Sequence, residues 1–546
     1  MRARFTRAAL ISCFALAWAA GAHAQEDFWS GTVADQVISF DDNEYARAVQ
    51  VLASPSGLHA VWSEDAPSIR EIHYGRSSDG GTTWTSETAD RVISFPDNHG
   101  VNPEECDIAG DGEDFLIVVW SEDVDATQEV HYGISTDGGS TWSSETADLV
   151  LSDPASAADT QSPSVAIDFD GVLHVVWNQP AAGGTSEVHY SRSTDGGVSW
   201  SGAVADRFVS FPDGNNVVSP QITRDSENRL IVAWREIGDA GTATIHAGVS
   251  TDGGLTWSSE GADYEISQAA SLITNLAIAA EPCYDIGVHV VYTASFDLQA
   301  PYHYEVYATS SYDGGAHWSG QDGLVPVSHD EGEGRSASNP DLFVGVSQGA
   351  IAVWDEEEDA GGTKEQHISY GPESWSGAGA DEIVSFPDGE DGYRPSISGF
   401  TCMVTVPGDP GPRDFVDDTF VLWTEFTGGA IDNYEVHLSS IQLVTSAVED
   451  ETSSFGGAGL AVFPNPSSGG VHLLWKGYGA GLPAGAEIEV YDASGRLVRR
   501  LSLAGGETVV WDRKDGGGRD VRPGVYFTRL RSLSCAASRG TPIVLQ

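Results

Sequence analysis

Hydrophobic and polar residues alternate along most of the chain in short stretches, which glycine-rich and acidic segments separate. Alternation with a period of two over about four to eight residues is typical of β-strands. In one representative unit the pattern predicts four consecutive strands, A to D, which are Ser164–Asp168, Leu173–Trp177, Glu187–Tyr190 and a stretch that begins at Trp200. We therefore expect a chain of short antiparallel strands joined by tight turns.

The four-strand pattern returns about every 60 residues. A sequence Asp-Gly-Gly-x-x-Trp occurs in five copies, and a degenerate sixth copy ends at Trp375, so that successive tryptophans are 58, 58, 57, 61 and 57 residues apart. The seven B strands are centred on Trp62, Trp120, Trp177, Trp234, Tyr292, Trp354 and Trp423. Four strands in a repeat of this length predict the blade of a β-propeller, where radial repetition protects the sheet edges.

The two ends of the repeat region complement each other. Residues 29–40 (WSGTVADQVISF) are similar to residues 84–95 (WTSETADRVISF), so the N-terminal segment supplies a D strand without a preceding A, B or C strand. The seventh unit, residues 381–444, has A, B and C strands but no Asp-Gly-Gly-x-x-Trp after them. We therefore expect an all-β, seven-bladed propeller of four-stranded antiparallel blades, closed where the strand of Trp29 pairs with Glu435–Leu438. Six and eight blades are the alternative counts.

The Asp-Gly-Gly motif suits a hairpin turn between strands C and D. Aspartate bonds backbone N–H groups two residues on, glycine adopts a positive φ, and the tryptophan three positions later covers the turn. The motif S-x-D-G-G-x-x-W resembles the Asp-box (BNR) repeat of sialidases and related propellers. This resemblance implies a structural role, on the face opposite the active site, for the box aspartates Asp79, Asp137, Asp195, Asp252 and Asp313.

A Glu-x-His pair recurs in the C strands of five units. Its members lie at i and i+2, hence on one face of a strand: Glu71/His73, Glu129/His131, Glu187/His189, Glu365/His367 and Glu435/His437. Taken alone, such a pair could be a general base or half of a metal site. Because it recurs around the ring, opposite the Trp-x-Glu of strand B, we interpret it as an element of cross-strand packing and hydrogen bonding.

The composition adds a strongly acidic balance. The 546 residues include 27 Lys and Arg and 81 Asp and Glu, and residues 25–457 alone hold 13 basic and 74 acidic residues. Such a charge repels polyanions and argues against a nucleic-acid partner. The B–C loops and D–A connections contribute many of the acids, including Glu64-Asp65, Glu122-Asp123 and residues 355–359. These loops could hold Ca²⁺, but none has EF-hand spacing, so a solvated acidic surface without a cofactor is the favoured interpretation.

Three arginines stand out on this acidic face. Arg47, Arg335 and Arg394 lie at or just before the A strands of blades one, six and seven, which are neighbours in a closed ring. The resemblance to sialidases implies an arginine triad at this mouth that binds a substrate carboxylate. Residues 393–396 (YRPS) depart from the family's F/Y-R-I-P element, and we find no residues for the family's remaining catalytic positions. Neutralisation of nearby carboxylates is therefore the favoured role of these arginines.

Aromatic side chains cluster beside the C strand of blade five, where Tyr302, Tyr304 and Tyr307 surround His303. Exposed tyrosines stack on sugar rings, but they also serve protein contacts and plain packing. Together with Tyr393, the three tyrosines are the candidate ligand-binding residues.

The two ends of the chain differ from the repeats. Residues 1–24 combine three arginines, an apolar stretch and an Ala-His-Ala sequence, which is the pattern of a cleaved secretory signal peptide. Residues 25–447 are expected to form the propeller and residues 448–459 a polar, glycine-rich linker. No segment of the mature chain reaches the roughly 18 apolar residues of a transmembrane helix.

Residues 460–546 are expected to form a separate β-rich module. Residues 463–466 (FPNP), 490–498 (VYDASGRLV) and 524–527 (GVYF) carry its resemblance to the Ig-like domain of flagellar hook-capping proteins and to the C-terminal sorting domains of the type IX secretion system. That resemblance implies a small Ig-like β-sandwich that engages the secretion machinery at an outer membrane. A plain stalk domain is the alternative.

These patterns predict an exported or cell-surface propeller without catalytic activity, which binds a glycan or a protein ligand at its acidic central face. An exo-acting glycoside hydrolase of sialidase type, with Arg47, Arg335 and Arg394 holding a carboxylate, is the alternative function. A purely architectural role at the cell surface is a third.

Overall fold

Antiparallel four-stranded sheets make up most of the chain in the computed structural model. The structure describes residues 36–545 except for loop stretches, the longest of which are 329–334, 376–381, 405–413, 427–433, 446–458, 464–470, 477–486 and 532–540. None of the helices in this described part is long and apolar enough to cross a membrane.

Strands β1 to β27 build seven blades, which confirms the predicted propeller. In chain order they are β1 (Gln36–Val37); in blade one β2 (Ala46–Ser54), β3 (Gly57–Asp65), β4 (Arg70–Ser77) and β5 (Arg91–Val92); in blade two β6 (Val101–Gly110), β7 (Leu116–Val124) and β8 (Thr127–Ser135); in blade three β9 (Gln161–Ile167), β10 (Leu173–Pro180), β11 (Ser186–Ser193) and β12 (Arg207–Phe208). Blade four holds β13 (Asn216–Arg224), β14 (Leu230–Ile237), β15 (Ala243–Ser250) and β16 (Tyr264–Glu265), and blade five holds β17 (Leu272–Ala280), β18 (Val288–Ser295), β19 (Glu305–Ser311) and β20 (Val325–Pro326). Blade six holds β21 (Ala337–Gly345), β22 (Gly349–Glu357), β23 (Lys364–Tyr370) and β24 (Glu382–Ile383), and blade seven holds β25 (Gly392–Val404), β26 (Asp414–Phe426) and β27 (Tyr434–Thr445).

The N-terminal strand closes the ring. β1 is the fourth strand of blade seven, where Gln36 pairs with Leu438 and Val37 with His437. The predicted closure is thereby confirmed for the part of the N-terminal segment that the structure describes. Trp29, on which the prediction was centred, lies outside the described residues.

The D strands begin later than the sequence pattern predicts. In blade three the D strand is Arg207–Phe208 and does not start at Trp200, and in blade one a 3₁₀ turn, Thr85–Glu87, separates Trp84 from Arg91–Val92. The indole of Trp84, just before this turn, donates its Nε1–H to the carbonyl of Gly81 over 3.1 Å. Comparable short helices follow the box tryptophans of blades two, four and five, at Ser143–Glu145, Ser258–Gly261 and Ser319–Asp322.

Large aromatic residues fill the interfaces between blades. The B-strand Trp62 and the box Trp84 of blade one pack in one buried cluster with Leu422 and Leu438 of blade seven. The same arrangement recurs around the ring, for example where Tyr74 of blade one meets the ring of Trp142 of blade two at 5.1 Å. Burial of these side chains provides the main stabilisation of the ring.

The Glu-x-His pairs belong to a buried hydrogen-bond network, which confirms their structural interpretation. In six of the seven blades a serine of the D segment donates its hydroxyl to the C-strand glutamate, as Ser152 does to Glu129 over 2.5 Å. In blades one, two, six and seven the B-strand glutamate accepts the indole N–H of its own strand, as in Trp120 to Glu122 at 2.6 Å. His131 lies beside Glu122, with 3.6 Å between Nδ1 and Oε2. Buried polar groups of this kind must find partners, so the network constrains the register of the strands.

The A strands surround the central axis, and each bends at a bulge near its start. The bulges place five described non-glycine residues in the left-handed region, with φ between 50° and 54°: Ala48, Ser162, Ser219, Asn339 and Arg394. Neighbouring A strands are bonded to each other, as where the backbone N–H of Val51 donates to the hydroxyl of Ser396 over 3.2 Å. A left-handed non-glycine residue costs about 1–2 kcal/mol, so the closely packed ring is what holds these conformations.

The C-terminal strands form two further antiparallel sheets. One contains β28 (Gly459–Phe463), β29 (Val471–Lys476) and β32 (Thr508–Trp511); the other contains β30 (Glu487–Asp492), β31 (Leu497–Ser502), β33 (Gly524–Arg531) and β34 (Thr541–Leu545). Trp511 is fully buried, and its ring meets that of Tyr526 from the other sheet at 5.2 Å.

Candidate functional site

The blade topology divides the loops between two faces. The A–B and C–D turns lie on one face, called here the box face, and the B–C loops and D–A connections lie on the other, called the loop face. On the box face Asp195 bonds its own turn: one carboxylate oxygen accepts from the backbone of Ser199 at 2.9 Å and the other from its hydroxyl at 2.6 Å. These hydrogen bonds lower the pKa of Asp195 to about 2.

Several acids that the sequence assigned to solvated loops are instead buried at the ends of B strands. Glu64, Glu122, Asp355 and Glu356 are all at most 2% exposed. The strands extend further than the hydrophobic pattern suggested, because tryptophan and serine side chains satisfy the carboxylates inside the blades. The solvated-surface interpretation is therefore wrong for these four residues.

The three candidate arginines have different surroundings. Arg47 lies over the ring of Tyr45 at 3.6 Å and pairs with Asp65 at 3.5 Å. Arg394 occupies the left-handed bulge position of β25. Arg335 is largely buried and pairs with the buried Glu356 of blade six at 3.6 Å.

Asp355 breaks the symmetry of the ring. The residue that follows the B-strand aromatic is, in order around the ring, Ser63, Ser121, Asn178, Arg235, Thr293, Asp355 and Thr424. An acidic residue therefore stands at this position only in blade six. Features that break the symmetry of a repeat protein are candidates for function, since structural requirements alone repeat with the blades.

Asp355 is fully buried and accepts hydrogen bonds from four groups. Oδ2 accepts from the hydroxyl of Ser338 at 2.6 Å and from Nζ of Lys364 at 2.8 Å. Oδ1 accepts from Nδ2 of Asn339 at 2.7 Å and from the backbone N–H of Arg394 at 3.3 Å. The carboxylate thus holds Lys364 and two left-handed bulge residues in place at the mouth of the ring.

Tyrosine rings continue from this point across blade seven to blade one. Nζ of Lys364 lies 5.5 Å from the ring centre of Tyr393, which is 6.0 Å from that of Tyr434. Tyr434 is 4.2 Å from Tyr45, which carries the guanidinium of Arg47. We call these five residues the ring-closure cluster, because blade seven, which contains the N-terminal strand, lies at its centre.

Burial and a neighbouring carboxylate keep Tyr393 protonated. Its hydroxyl donates to Asp391 over 3.1 Å, and burial, followed by the charge of Asp391, raises its pKa. The ring-closure cluster therefore offers aromatic faces, a phenol and two cations, each of which is paired with an aspartate.

The blade-five tyrosines do not form one surface. Tyr302 is exposed, whereas Tyr307 packs inside the blade against Tyr292 and Phe296, with ring centres 6.0 and 5.3 Å apart. The half-buried Tyr304 lies on the edge of the D–A connection, where its carbonyl accepts from the backbone N–H of Ala337 over 2.9 Å.

Of the arginines and tyrosines that the sequence singled out, the ring-closure cluster contains Arg47 and Tyr393, and Arg394 contributes the backbone N–H that Asp355 accepts. Sequence reasoning missed Lys364 and Tyr434 as parts of a site, and it missed the role of Asp355. One signal was available, because an alignment of the seven B strands shows the single acid at position 355. The tyrosine contacts had no such signal, since Tyr393 and Tyr434 lie on different strands of blade seven and Tyr45 lies just before the first strand of blade one.

Residues 109–277 match the family model described as the BNR repeat-like domain, which confirms the predicted repeat type over less than half of the chain. No curated protein sequence matches the chain. Among solved structures, an ulvan lyase is similar with 11% identity and a TM-score of 0.47, over 78% of this chain and 99% of its own.

Two further solved structures are similar to the chain. A protein of unknown function from Dyadobacter fermentans has 15% identity and a TM-score of 0.41, over 75% of this chain and 98% of its own. A mutant of the NanB sialidase from Streptococcus pneumoniae has 15% identity and a TM-score of 0.38, over 75% of this chain and 71% of its own.

Proposed function

We propose that this protein is an exported or cell-surface propeller that binds a glycan at the ring-closure cluster without catalysing a reaction. The observation that carries this proposal is the row of three tyrosine rings, Tyr393, Tyr434 and Tyr45, with a cation at each end. Aromatic faces stack on the apolar faces of sugar rings, and flanking charged groups supply hydrogen bonds that orient the sugar.

Charge narrows the class of glycan. Lys364 and Arg47 are already paired with Asp355 and Asp65, so neither cation is available as an isolated positive charge. The 74 acidic residues of positions 25–457 repel a polyanion at long range. A carboxylate accepts hydrogen bonds from sugar hydroxyls, and the cation paired with it donates hydrogen bonds to them. A neutral or sparsely charged glycan is therefore the expected ligand.

A glycan array followed by titration of the bound glycan tests the proposal. Tyr393→Ala and Tyr434→Ala should each weaken binding about tenfold, which corresponds to about 1.4 kcal/mol. Tyr312→Ala is the control, because Tyr312 is an exposed tyrosine of the box face. An equal loss in the control, or an array that binds no glycan while a protein ligand binds, would contradict the proposal.

An exo-acting glycoside hydrolase of sialidase type is the second candidate function. It is favoured by the position of Arg47 and Arg394 at the starts of neighbouring A strands. The buried pair of Arg335 with Glu356 argues against a triad that holds a substrate carboxylate. Binding without catalysis predicts no turnover of a fluorogenic sialoside, whereas turnover that Arg394→Ala abolishes would establish the hydrolase.

The proposed domain organisation places this propeller outside the cell. Residues 1–24 act as a signal peptide, residues 25–447 form the propeller, residues 448–459 are a linker, and residues 460–546 form an Ig-like module that the secretion machinery recognises. The two sheets formed within residues 459–545 support the last assignment. Deletion of residues 460–546 should retain the protein inside a host that exports the full chain, and mass spectrometry of the exported chain should find Gln25 at its N-terminus.

A further inference from the structure

Blade four departs from the buried network of the other blades at one position. The C-strand position occupied by Glu71, Glu129, Glu187, Glu305, Glu365 and Glu435 in six blades holds Thr244 in blade four. In each of those six blades a serine hydroxyl donates to the glutamate. In blade four the corresponding Ser267 donates to the carbonyl of Gln268 over 3.2 Å. Blade four therefore has one carboxylate fewer at this position than the other six blades.

In blade four the B-strand glutamate, Glu236, does not accept a hydrogen bond from its tryptophan, Trp234. In blades one, two, six and seven the indole N–H donates to this glutamate, as from Trp354 to Glu356 at 2.7 Å. In blade four neither Nε1 of Trp234 nor Oε2 of Glu236 has a hydrogen-bond partner among the described residues. The other oxygen, Oε1, accepts from Nδ2 of Asn215 over 2.7 Å.

Glu236 meets an imidazole and a second carboxylate. Its Oε2 lies 3.5 Å from Nδ1 of His246. Asp263, just before β16, completes a group whose three potential ligand atoms all lie within 4.8 Å of one another. One oxygen of Asp263 accepts from the backbone N–H of Phe211 in blade three over 2.7 Å, and the other has no partner within the described part of the chain.

Burial makes these unpartnered atoms significant. Glu236 is 4% exposed and His246 is 8% exposed. A buried carboxylate oxygen and a buried ring nitrogen without partners are costly, and water, an ion or another group normally satisfies such atoms. The charges of Glu265 and Asp213 lie close enough to act on His246, and they add to a negative potential that attracts a cation.

The orientation of His246 suits a ligand. Its Nε2 is 2.8 Å from the hydroxyl oxygen of Thr244. If Nε2 carries the hydrogen and donates to this oxygen, the lone pair of Nδ1 points towards Glu236. Metal-binding histidines are held in this way, with the second ring nitrogen donating to an oxygen. Where the other six blades have a glutamate, blade four therefore has the hydroxyl of Thr244, which orients the imidazole of His246.

We propose that Glu236, His246 and Asp263 bind a divalent transition-metal ion, with Zn²⁺ as the best fit. One imidazole and two carboxylates are a donor set that Zn²⁺ accepts, whereas Ca²⁺ takes oxygen ligands. Ligand atoms around tetrahedral Zn²⁺ lie about 3.3 Å apart, close to the observed separation between Glu236 and His246. Three protein ligands leave a fourth position for water or for a ligand group.

A shared proton is the competing explanation for the proximity of the two carboxyl groups. Burial, followed by the charge of Glu236, raises the pKa of Asp263. A protonated Asp263 can donate to Glu236 without any metal ion. The two explanations differ in what they predict for His246. A shared proton between the carboxyl groups leaves Nδ1 of His246 without a partner, whereas a metal ion binds to this Nδ1.

Zn²⁺ retention by the full chain, measured by plasma mass spectrometry after chelation, reloading and dialysis, tests the proposal. The wild-type chain should retain one more equivalent of Zn²⁺ than Glu236→Gln and His246→Ala. Glu122→Gln is the matched control: Glu122 occupies the same strand position in blade two and lies 3.6 Å from Nδ1 of His131, but it accepts from Trp120 and that Nδ1 is 2.7 Å from Asp148. It should retain as much Zn²⁺ as the wild type. Thr244→Val keeps all three ligands and should weaken Zn²⁺ binding about tenfold or more.

The melting temperature gives a second readout and checks that each variant is folded. Zn²⁺ should raise the melting temperature of the wild type and of Glu122→Gln but not that of Glu236→Gln. Equal Zn²⁺ retention by Glu236→Gln and the wild type would overturn the proposal. Retention of Ca²⁺ that depends on Glu236 but not on His246 would overturn it as well.

Discussion

Ser39 donates its hydroxyl to the carboxylate of Glu435, although 396 positions separate the two residues in the chain. The hydroxyl oxygen of Ser39 also accepts from the backbone N–H of Val436 over 2.9 Å. These bonds attach the N-terminal strand to blade seven beside the pairs Gln36–Leu438 and Val37–His437. The two ends of the propeller are thus joined by the same type of serine–glutamate hydrogen bond that occurs within single blades.

The first prediction concerns this closure. Ser39→Ala removes the donor to Glu435, which is 1% exposed, and should lower the free energy of unfolding by about 2–3 kcal/mol. Ser267→Ala in blade four is the control, because Ser267 accepts a backbone N–H in the same way but has no carboxylate partner. It should cost about 1 kcal/mol in urea unfolding. Equal losses would show that the contact with Glu435 does not stabilise the ring.

The second prediction compares two B-strand tryptophans. Both Trp120→Phe and Trp234→Phe lose part of a buried indole, but only Trp120 donates its N–H to a glutamate. Trp120→Phe should therefore destabilise the protein by about 1–2 kcal/mol more than Trp234→Phe. Chemical denaturation of both variants measures the difference, and a larger cost for Trp234→Phe would contradict the described network.

The third prediction concerns the box aspartates at low pH. Hydrogen bonds, first from the side chain and then from the backbone of residue 199, lower the pKa of Asp195 to about 2, whereas an unfolded chain has a value of about 3.9. The bonds therefore stabilise the folded chain fully above pH 4, and this contribution is lost as the pH falls to 2. Asp195→Asn should melt below the wild type at pH 7, and the gap should close near pH 2. A gap that does not change with pH would contradict this linkage.

The fourth prediction concerns a buried histidine between pH 6.5 and 4. Burial, followed by the charge of Arg76, lowers the pKa of His59 from 6.5 to about 4, and Nδ1 of His59 lies 2.7 Å from the hydroxyl of Tyr74. Unfolding then takes up a proton in this range, so acidification costs up to about 3 kcal/mol of stability from this residue. His59→Gln should flatten the stability profile in this range. A profile as steep as that of the wild type would exclude His59 as its source.

The blades were predictable because each one is a local unit. Strands A to D pair with their neighbours in the chain, so the spacing of Asp-Gly-Gly and tryptophan within about 60 residues contains the information. The start of the D strand was not predictable in this way. A short helical turn, such as Thr85–Glu87 after Trp84, precedes the strand and has no hydrophobic signature.

The candidate site was predictable only in part. Arg47, Arg394 and Tyr393 were visible because they interrupt an acidic, repetitive sequence near the starts of A strands. Their partners Lys364 and Tyr434 lie on other strands, and the contacts of Lys364 with Tyr393 and of Tyr434 with Tyr45 cross from one blade to the next. A pattern confined to one repeat cannot indicate which side chains of different repeats meet.

By itself the sequence determined the all-β repeat, the seven units and the closure by an N-terminal strand, since these follow from residue types at regular spacing. The tertiary structure alone decided how equivalent residues differ. Glu122 and Glu236 both lie beside the histidine of their C strand, but Glu122 bonds its tryptophan, whereas Glu236 lies close to Asp263. Asp355 is buried beneath Lys364, where other blades hold neutral residues or arginine. The physical reason is that the energy of a buried polar group depends on its partners, and the neighbouring blade supplies many of those partners.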